Sequence, residues 1–187
     1  MTRPRKMEDD VLICRLSHTF RAVGYEGASL ARLAEAAGMQ GPSLYHRFPG
    51  GKRQMAKAVL DAAGAWYGEH VFSPLAGPGT PAERVANVVQ ALDIFYAGGK
   101  QACLLNLMAQ PPGENSPFAA PIRAMFGALI DAFAAVAQEA GAADPRPQAQ
   151  RAVALLHGSL VLARGMGSPE PFKAFTATLG RELGVEK

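Results

Sequence analysis

The chain has 187 residues, of which 49% are hydrophobic, and a formal net charge of +3 at pH 7. This length allows one large domain or two small ones with a sizeable core. Two cysteines, Cys14 and Cys103, exclude a disulfide framework. We also expect no membrane span, since no apolar run approaches ~20 residues, and no secretory signal. A reducing, cytoplasmic setting is therefore expected.

The positive charge is concentrated at the start of the chain. The first 57 residues carry ten Lys or Arg against five Asp or Glu, whereas the remainder carries nine against eleven. A basic first segment on a slightly acidic body favours an N-terminal contact with a polyanion.

Helix signals recur along the chain and no segment alternates with the period of a strand, so we predict an all-α protein of about nine helices. Helix one is expected over about residues 8–23, ending at Gly24. Ser29 is placed to cap helix two, and helix three is expected over about residues 41–48. The apolar stripe of helix one is predicted to contain Ile13, Leu16, Phe20 and Val23.

Six further helices are predicted in the rest of the chain. They are expected over about residues 52–72, 81–97, 101–109, 118–140, 145–165 and 169–183. The clearest internal break is the segment between Pro74 and Pro78, and Thr80 to Glu83 forms a capping box with proline at the first helical position. The buried side of the fourth helix is expected to carry Met55, Val59, Ala62 and Trp66.

The segment from Ser29 to Lys52 has the layout of a helix-turn-helix, whose second helix is presented to a DNA major groove. Gly38 can adopt the left-handed conformation that ends one helix and lets the next cross it. Leu44 and Phe48 are expected to anchor the second helix of the pair to the core. The residues then left facing outward are Gln40, Gly41, Pro42, Ser43, Tyr45, His46 and Arg47.

Residues 8–60 resemble the DNA-binding domain of TetR-family transcriptional regulators. The residues that carry the resemblance are Gly24, Gly27, Leu33-Ala34, Ala37-Gly38, Ser43-Leu44-Tyr45-His46-Arg47-Phe48 and Lys52. The variant from Phe48 to Lys52 looks like the LmrA-like branch. The chain departs from the family pattern at Gln40, where serine or threonine is common, and at Gly41, which is often lysine or arginine. These departures imply a weaker helix cap and one missing cation.

The resemblance implies a division of the chain into two domains. Residues 1–52 would form a helix-turn-helix DNA-binding domain, and residues 53–187 a helical domain that binds a small effector and forms a homodimer. It implies no cofactor. The partners expected are a double-stranded DNA operator, a small molecule and a second copy of the chain.

The outward-facing residues suggest separate roles in DNA recognition. Gln40 and Ser43 can hydrogen-bond base edges, and Gly41-Pro42 brings the start of helix three close to the groove. Phosphate contacts are expected from two further groups of residues. The first group is Tyr45 (by resemblance), His46, Lys52, Ser29 and Arg32, and the second is a basic N-terminal arm of Arg3, Arg5 and Lys6.

Large, soft side chains are in excess between the fourth and eighth predicted helices. Methionine and aromatic residues adapt to irregular cavities, and a pocket lined by them favours an apolar or aromatic ligand. Tyr96, His157 and Asn106 are the polar candidates; ordinary core packing is the alternative for each. The candidate effector-binding residues are Trp66, Phe95, Tyr96, Cys103, Leu107, Met108, Met125, Phe126, Phe133 and His157.

The last two predicted helices are the candidates for dimerisation, because the first of them is apolar on more than one face. Two-fold symmetry would then require a palindromic operator, from which a repressor would be released when an effector shifts the fourth helix. The candidate interface residues are Val153, His157, Leu160, Val161, Arg164, Phe172, Phe175 and Leu179.

Three other functions compete with this one. The histidines are scattered, and no metal-spaced set, phosphate loop or nucleophile triad is recognisable, so we do not expect an enzyme. A redox-sensing regulator on the same scaffold, using Cys103 or Cys14, is an open alternative, since Lys100 near Cys103 could lower its pKa. A non-specific architectural DNA-binding protein is another, and would show steep salt dependence without preference for palindromes.

Overall fold

The computed structural model describes residues 9–109 and 116–186, and within them regular structure is helical, without strands. The chain forms two compact units. The first contains the described residues up to Ala63 together with 104–109 and 116–118, and the second contains the rest. The all-α fold is therefore confirmed. The functional division at residue 52 stays a prediction.

The first unit is built on α1 (Asp9–Gly27), α2 (Leu30–Ala37), α3 (Gly41–Arg47), the beginning of α4 (Gly51–Tyr67), and α7 (Leu104–Met108). Its helices pack chiefly through α1, which contacts both α2 and α7. The buried side chains include those of Leu12, Leu16, Phe20, Leu33, Leu44 and Met55.

Helix α1 differs from its prediction in face and length. Its inward positions are Leu12, Leu16 and Phe20, whereas Ile13 is half-buried and Val23 is exposed. Gly24 interrupts the helix with φ 71° and ψ 179° and one further turn leads to Gly27. Only glycine adopts this backbone region readily, so the prediction that Gly24 ends the regular helix is right in mechanism.

The predicted fourth helix is divided into consecutive segments. Helix α4 is followed by a π-helix (Gly68–Phe72) and then by α5 (Ser73–Leu75). A π-turn adds a residue to one turn and rotates the helix beyond it, so a single apolar face does not persist along the segment. Ala62 is accordingly exposed and Trp66 half-buried, whereas Tyr67 is buried.

The second unit contains the remaining helices: α6 (Pro81–Phe95), α8 (Ala119–Glu139), α9 (Pro145–Met166), α10 (Glu170–Thr176) and α11 (Leu179–Glu182). Its most extensive packing joins α8 to α9 and α10 to α9. The predicted last helix is thus two helices, because residues 177 and 178 leave the helical path between them.

The predicted capping box at the start of α6 is confirmed. The Thr80 hydroxyl accepts a hydrogen bond from the Glu83 amide at 3.3 Å, and the Glu83 carboxylate accepts one from the Thr80 amide at 2.8 Å. These hydrogen bonds lower the pKa of Glu83, because they stabilise its charged form. In the next turn, the buried Arg84 guanidinium donates to the Leu75 carbonyl and pairs with Glu139 of α8.

Helix α8 contradicts one expectation from the sequence. Among the described residues it is the one helix long and apolar enough to cross a membrane by length and composition, although most of it is not buried in the chain. Its two mid-helix charges, Arg123 and Asp131, interrupt the run without reducing its average apolar character below that of a span. Length and composition alone are weak evidence for a membrane segment.

Candidate functional site

The turn between α2 and α3 has the geometry of a helix-turn-helix. Ser29 caps α2, its hydroxyl oxygen accepting a hydrogen bond from the Arg32 amide. Gly38 ends α2 in the left-handed conformation at φ 64°, and its amide donates to the carbonyls of Ala34 and Glu35. The guanidinium of Arg15, on α1, donates to the Ala37 carbonyl at 3.2 Å. Both ends of α2 are thus satisfied and its direction is fixed.

Helix α3 is anchored from one side and open on the other. Leu44 is 1% exposed and Phe48, at the helix end, is 7% exposed, as predicted. The opposite face carries exposed side chains and a half-buried glycine. They are Gln40, Gly41, Pro42, Ser43, Tyr45 and His46.

The weak start of α3 is also seen in the structure. Gln40 is the N-cap residue, but its side chain makes no capping hydrogen bond. A Cβ at Gly41 would meet no atom within 4 Å. The first turn therefore presents an amide side chain and nearly bare backbone, which can approach another surface closely.

Arg47 does not face outward as expected. Its side chain is half-buried and pairs with Asp9 in the first turn of α1. The sequence signal for this pair was present in the acidic start of α1, which was interpreted only as complementing the helix dipole.

The residues expected to bind phosphate have different surroundings. Arg32 is exposed and donates to the Gly27 carbonyl at 3.4 Å. Lys52 lies in the first turn of α4, and its ammonium donates to the Tyr25 carbonyl at 3.0 Å. Arg3, Arg5 and Lys6, the predicted basic arm, lie outside the described residues.

Part of the predicted effector site forms a cluster of rings in the second unit. The Trp66 and Phe95 rings stack with centroids 4.3 Å apart, and Phe95 meets Tyr96 edge to face at 5.0 Å. The Tyr96 hydroxyl points to the Cys103 sulfur at 3.9 Å. Tyr67, which the sequence interpretation missed, places its hydroxyl 2.8 Å from that of Tyr96. Its position beside Trp66 was the available signal.

The other predicted effector residues do not all join this cluster. Leu107 and Met108 lie on α7 and belong to the first unit, as does the half-buried Asn106. Phe133 is fully buried in α8 and Met125 is half-buried, with its methyl group 3.3 Å from where a Cβ at Gly64 would lie. These positions suit ordinary packing as well as a ligand site.

His157 of α9 is buried without hydrogen-bond partners. The residue is 8% exposed, and neither ring nitrogen has a partner. The Phe126 ring of α8 meets it edge to face at 4.7 Å. Burial lowers the pKa of His157 to about 4, because a charged imidazolium is poorly solvated there. The ring is therefore neutral at pH 7.

Most residues predicted at a dimer interface are buried within the chain instead. Val161 and Arg164 are exposed, but the other six are not; these are Val153, His157, Leu160, Phe172, Phe175 and Leu179. The exposed face of α9 lies on the opposite side at helical spacing. It contains Ala154, Leu155, Gly158, Val161, Leu162 and Gly165.

A matching surface lies on α8. Ala124, Ala128 and Ala135 are exposed at intervals of four and seven residues, and so occupy one helix face. The two apolar faces belong to helices packed against each other. The sequence did not separate these faces from the core because both sides of α9 are apolar.

No group of three metal-ligating side chains occurs in residues 9–109 or 116–186. The arrangement offers base- and phosphate-binding groups on one surface, apolar helix faces on another, and a buried ring cluster, but no assembled reaction centre was identified from these contacts.

Comparisons with known proteins agree with this description. Residues 17–59 match the family profile of bacterial regulatory proteins, tetR family. A search of curated protein sequences finds no significant match. The fold is similar over 92% of this chain and 97% of the other to the regulatory protein TetR from Rhodobacter sphaeroides, at 21% identity and a TM-score of 0.78. A regulator from Legionella pneumophila is similar over 96% and 98%, at 17% identity and a TM-score of 0.79.

One similar structure contains DNA. It is a cysteine mutant of the TetR-family transcriptional regulator CifR complexed with 26-base-pair double-strand operator DNA. The likeness covers 99% of this chain and 100% of that one, at 26% identity and a TM-score of 0.76.

Proposed function

Because this chain belongs to the TetR family of transcriptional regulators, we propose that it is a homodimeric repressor that a small apolar or aromatic effector releases from a palindromic operator. The observation that carries the DNA-binding part is the helix-turn-helix with an anchored α3 and an open outer face. The CifR relative bound to operator DNA supports the same assignment.

The proposed DNA contacts derive from the residues that α3 exposes. Gln40 and Ser43 would hydrogen-bond base edges, with glutamine suited to adenine, and the small first turn would permit close approach. Tyr45, His46, Lys52 and the basic arm would contact phosphates. Arg47 is left out of this set, since its charge is paired with Asp9.

The proposed dimer uses the exposed apolar faces of α8 and α9. Pairing these two helices with their copies would produce a four-helix interface and bury surface that is otherwise exposed to water. It would also account for the unusually apolar composition of α8 without a membrane. Two-fold symmetry would space the recognition helices by 34–36 Å or a multiple, at about one DNA turn each.

The proposed effector site is the ring cluster around Trp66, Tyr67, Phe95 and Tyr96. Aromatic rings would supply apolar contact and the two hydroxyls a polar attachment point. Since α4 begins in the first unit and ends in the second, a shift of this helix would link the effector to DNA binding. Operator DNA must then weaken effector binding by the same factor as the effector weakens DNA binding.

The redox alternative has one supporting contact and one opposing observation. Tyr96 donates towards the Cys103 sulfur, but Cys103 is only 3% exposed, and reactive cysteines are usually accessible. Cys14 is exposed but has no corresponding environment. We therefore keep effector binding as the proposed trigger.

The proposal can be tested by selecting binding sites from a random DNA pool with the full chain. We expect recovery of a palindrome, and Ser43→Ala should weaken binding to it by about tenfold, the lower end of a base contact. Ser73→Ala, an exposed serine in the second unit, is the matched control. Recovery of no common sequence would support an architectural DNA-binding protein, and no binding at all would contradict the proposal.

The effector can be sought with the same material. Apolar aromatic compounds that raise the melting temperature should also release the selected DNA. Calorimetric titration with and without operator then tests the coupling. Release by an oxidant alone, abolished in Cys103→Ser, would favour the redox alternative.

A further inference from the structure

A single lysine ties the start of α4 to the end of α1. The Lys52 ammonium donates to the Tyr25 carbonyl at 3.0 Å and lies 4.3 Å above the centroid of the Tyr25 ring. The Glu26 carboxylate is 3.8 Å away. Carbonyl and ring thus act together on one ammonium, which has three donors and no acceptor.

This contact leaves Lys52 able to bind an external anion. Its side chain is 25% exposed, while that of Glu26 is 71% exposed, so water screens the attraction between them. The carbonyl takes one N–H and the ring face attracts the cation without using its full donor capacity. An N–H directed away from Tyr25 can therefore meet a phosphate oxygen.

Tyr25 is itself held by neighbouring rings. Phe118 meets the Tyr25 ring edge to face at 5.0 Å, and Phe20 stacks with it at 6.3 Å. Phe20 and Phe118 are both buried. Gly24, with its unusual backbone conformation, turns the chain just before Tyr25. The position of Tyr25 is consequently set by the packed interior of the first unit.

We propose that Tyr25 is a positioning residue for the Lys52 ammonium and that Phe118 holds Tyr25 in place. The three residues form a relay that ends at an operator phosphate, so the inference rests on the proposed function. A lysine already oriented loses less side-chain freedom when it binds phosphate. Since Phe118 is the residue immediately before α8, movement of the chain there reaches Lys52 through two side-chain contacts.

The first test measures operator affinity of the full chain as a function of salt. Lys52→Ala should reduce the salt slope by about 0.9 per protomer, the value for one lost phosphate contact. Tyr25→Leu should reduce the slope in the same direction and add nothing in the Lys52→Ala background. Tyr25→Phe keeps the ring and the carbonyl and should behave as the wild type.

The second test observes the relay without DNA. Reductive ¹³C-methylation of the lysines should give one resonance shifted by the Tyr25 ring current, assigned by its loss in Lys52→Arg. The shift should persist in Tyr25→Phe, disappear in Tyr25→Leu, and decrease in Phe118→Leu. Circular dichroism shows whether each variant is folded, and Phe118→Leu conserves an apolar side chain should larger changes unfold the unit.

The outcomes separate the relay from the proposed function. An unshifted Lys52 resonance in the wild type would overturn the relay, as would an unchanged salt slope in folded Tyr25→Leu when Lys52→Ala lowers it. Additive effects of the two substitutions would overturn it as well. Failure of the wild type to bind DNA while the resonance is shifted would instead contradict the proposed function.

Discussion

The hydroxyls of Tyr67 and Tyr96 lie 2.8 Å apart inside the second unit, where α4 meets the end of α6. Both side chains are buried, and rings surround them. A polar pair in such surroundings is costly to disturb, because the remaining hydroxyl loses a partner without gaining water.

We therefore expect Tyr96→Phe to lower the free energy of unfolding by about 1 kcal/mol. Tyr67→Phe should have a similar effect, and the double variant should cost less than the sum of the two. Urea unfolding at a fixed protein concentration measures all three. Tyr45→Phe, at an exposed position, is the control and should change stability by less than about 0.5 kcal/mol.

Gly41→Lys should strengthen DNA binding. The site has room for a side chain, and a lysine at the start of α3 would supply the cation that the family pattern usually has there. Salt titration of operator binding should show a slope steeper by about 0.9 for each protomer. Gly41→Ala tests space without charge, and an equal gain in that variant would show that the added charge is not the cause.

Val161→Glu should separate the proposed dimer. Val161 is 59% exposed on the apolar face of α9, and burying an unpaired carboxylate there is strongly unfavourable. Sedimentation velocity should show a shift from dimer to monomer. Ile94→Glu makes a similar change at a position on α6 that is 76% exposed and should leave the dimer intact. A dimer that survives Val161→Glu would place the interface elsewhere.

Stability should fall in mild acid because of His157. Its pKa is lowered from the ordinary 6.5 to about 4 in the folded chain, so the unfolded chain binds the proton more readily. The stabilising contribution is fully present above pH 6.5 and is lost progressively as pH falls towards 4. At pH 5 the loss is about 2 kcal/mol.

Unfolding measurements at pH 7 and pH 5 test this sign. His157→Phe keeps a ring against Phe126 but cannot titrate, so its stability should fall less between the two pH values than that of the wild type. Equal losses in the two proteins would show that other groups cause the acid sensitivity.

The helix-turn-helix was predictable from the sequence because its determinants are local. The Ser29 cap, the Gly38 conformation and the anchors Leu44 and Phe48 each act within a few residues, and each is found as expected. The Arg47 pairing was not predicted, since its partner Asp9 is distant in sequence and the acidic turn already had an adequate local explanation.

The dimer surface could not be identified from the sequence for a different reason. Leu155 and Leu160 are equally apolar, but only the first is exposed, and a helix apolar on two sides does not reveal which side meets its own chain. The π-helix after Tyr67 was equally hidden, because one shifted hydrogen-bonded turn leaves the residue pattern unchanged while rotating Trp66 away from the predicted core side.

The apolar faces of α8 and α9 lie in the second unit, apart in sequence from the reading residues of α3. If these faces form the dimer, a chain with a damaged α3 still pairs with an intact one. Each mixed pair would hold a single working head and grip only half of a palindrome. A mutant allele expressed beside the normal gene would then silence normal subunits, so the defect would be genetically dominant.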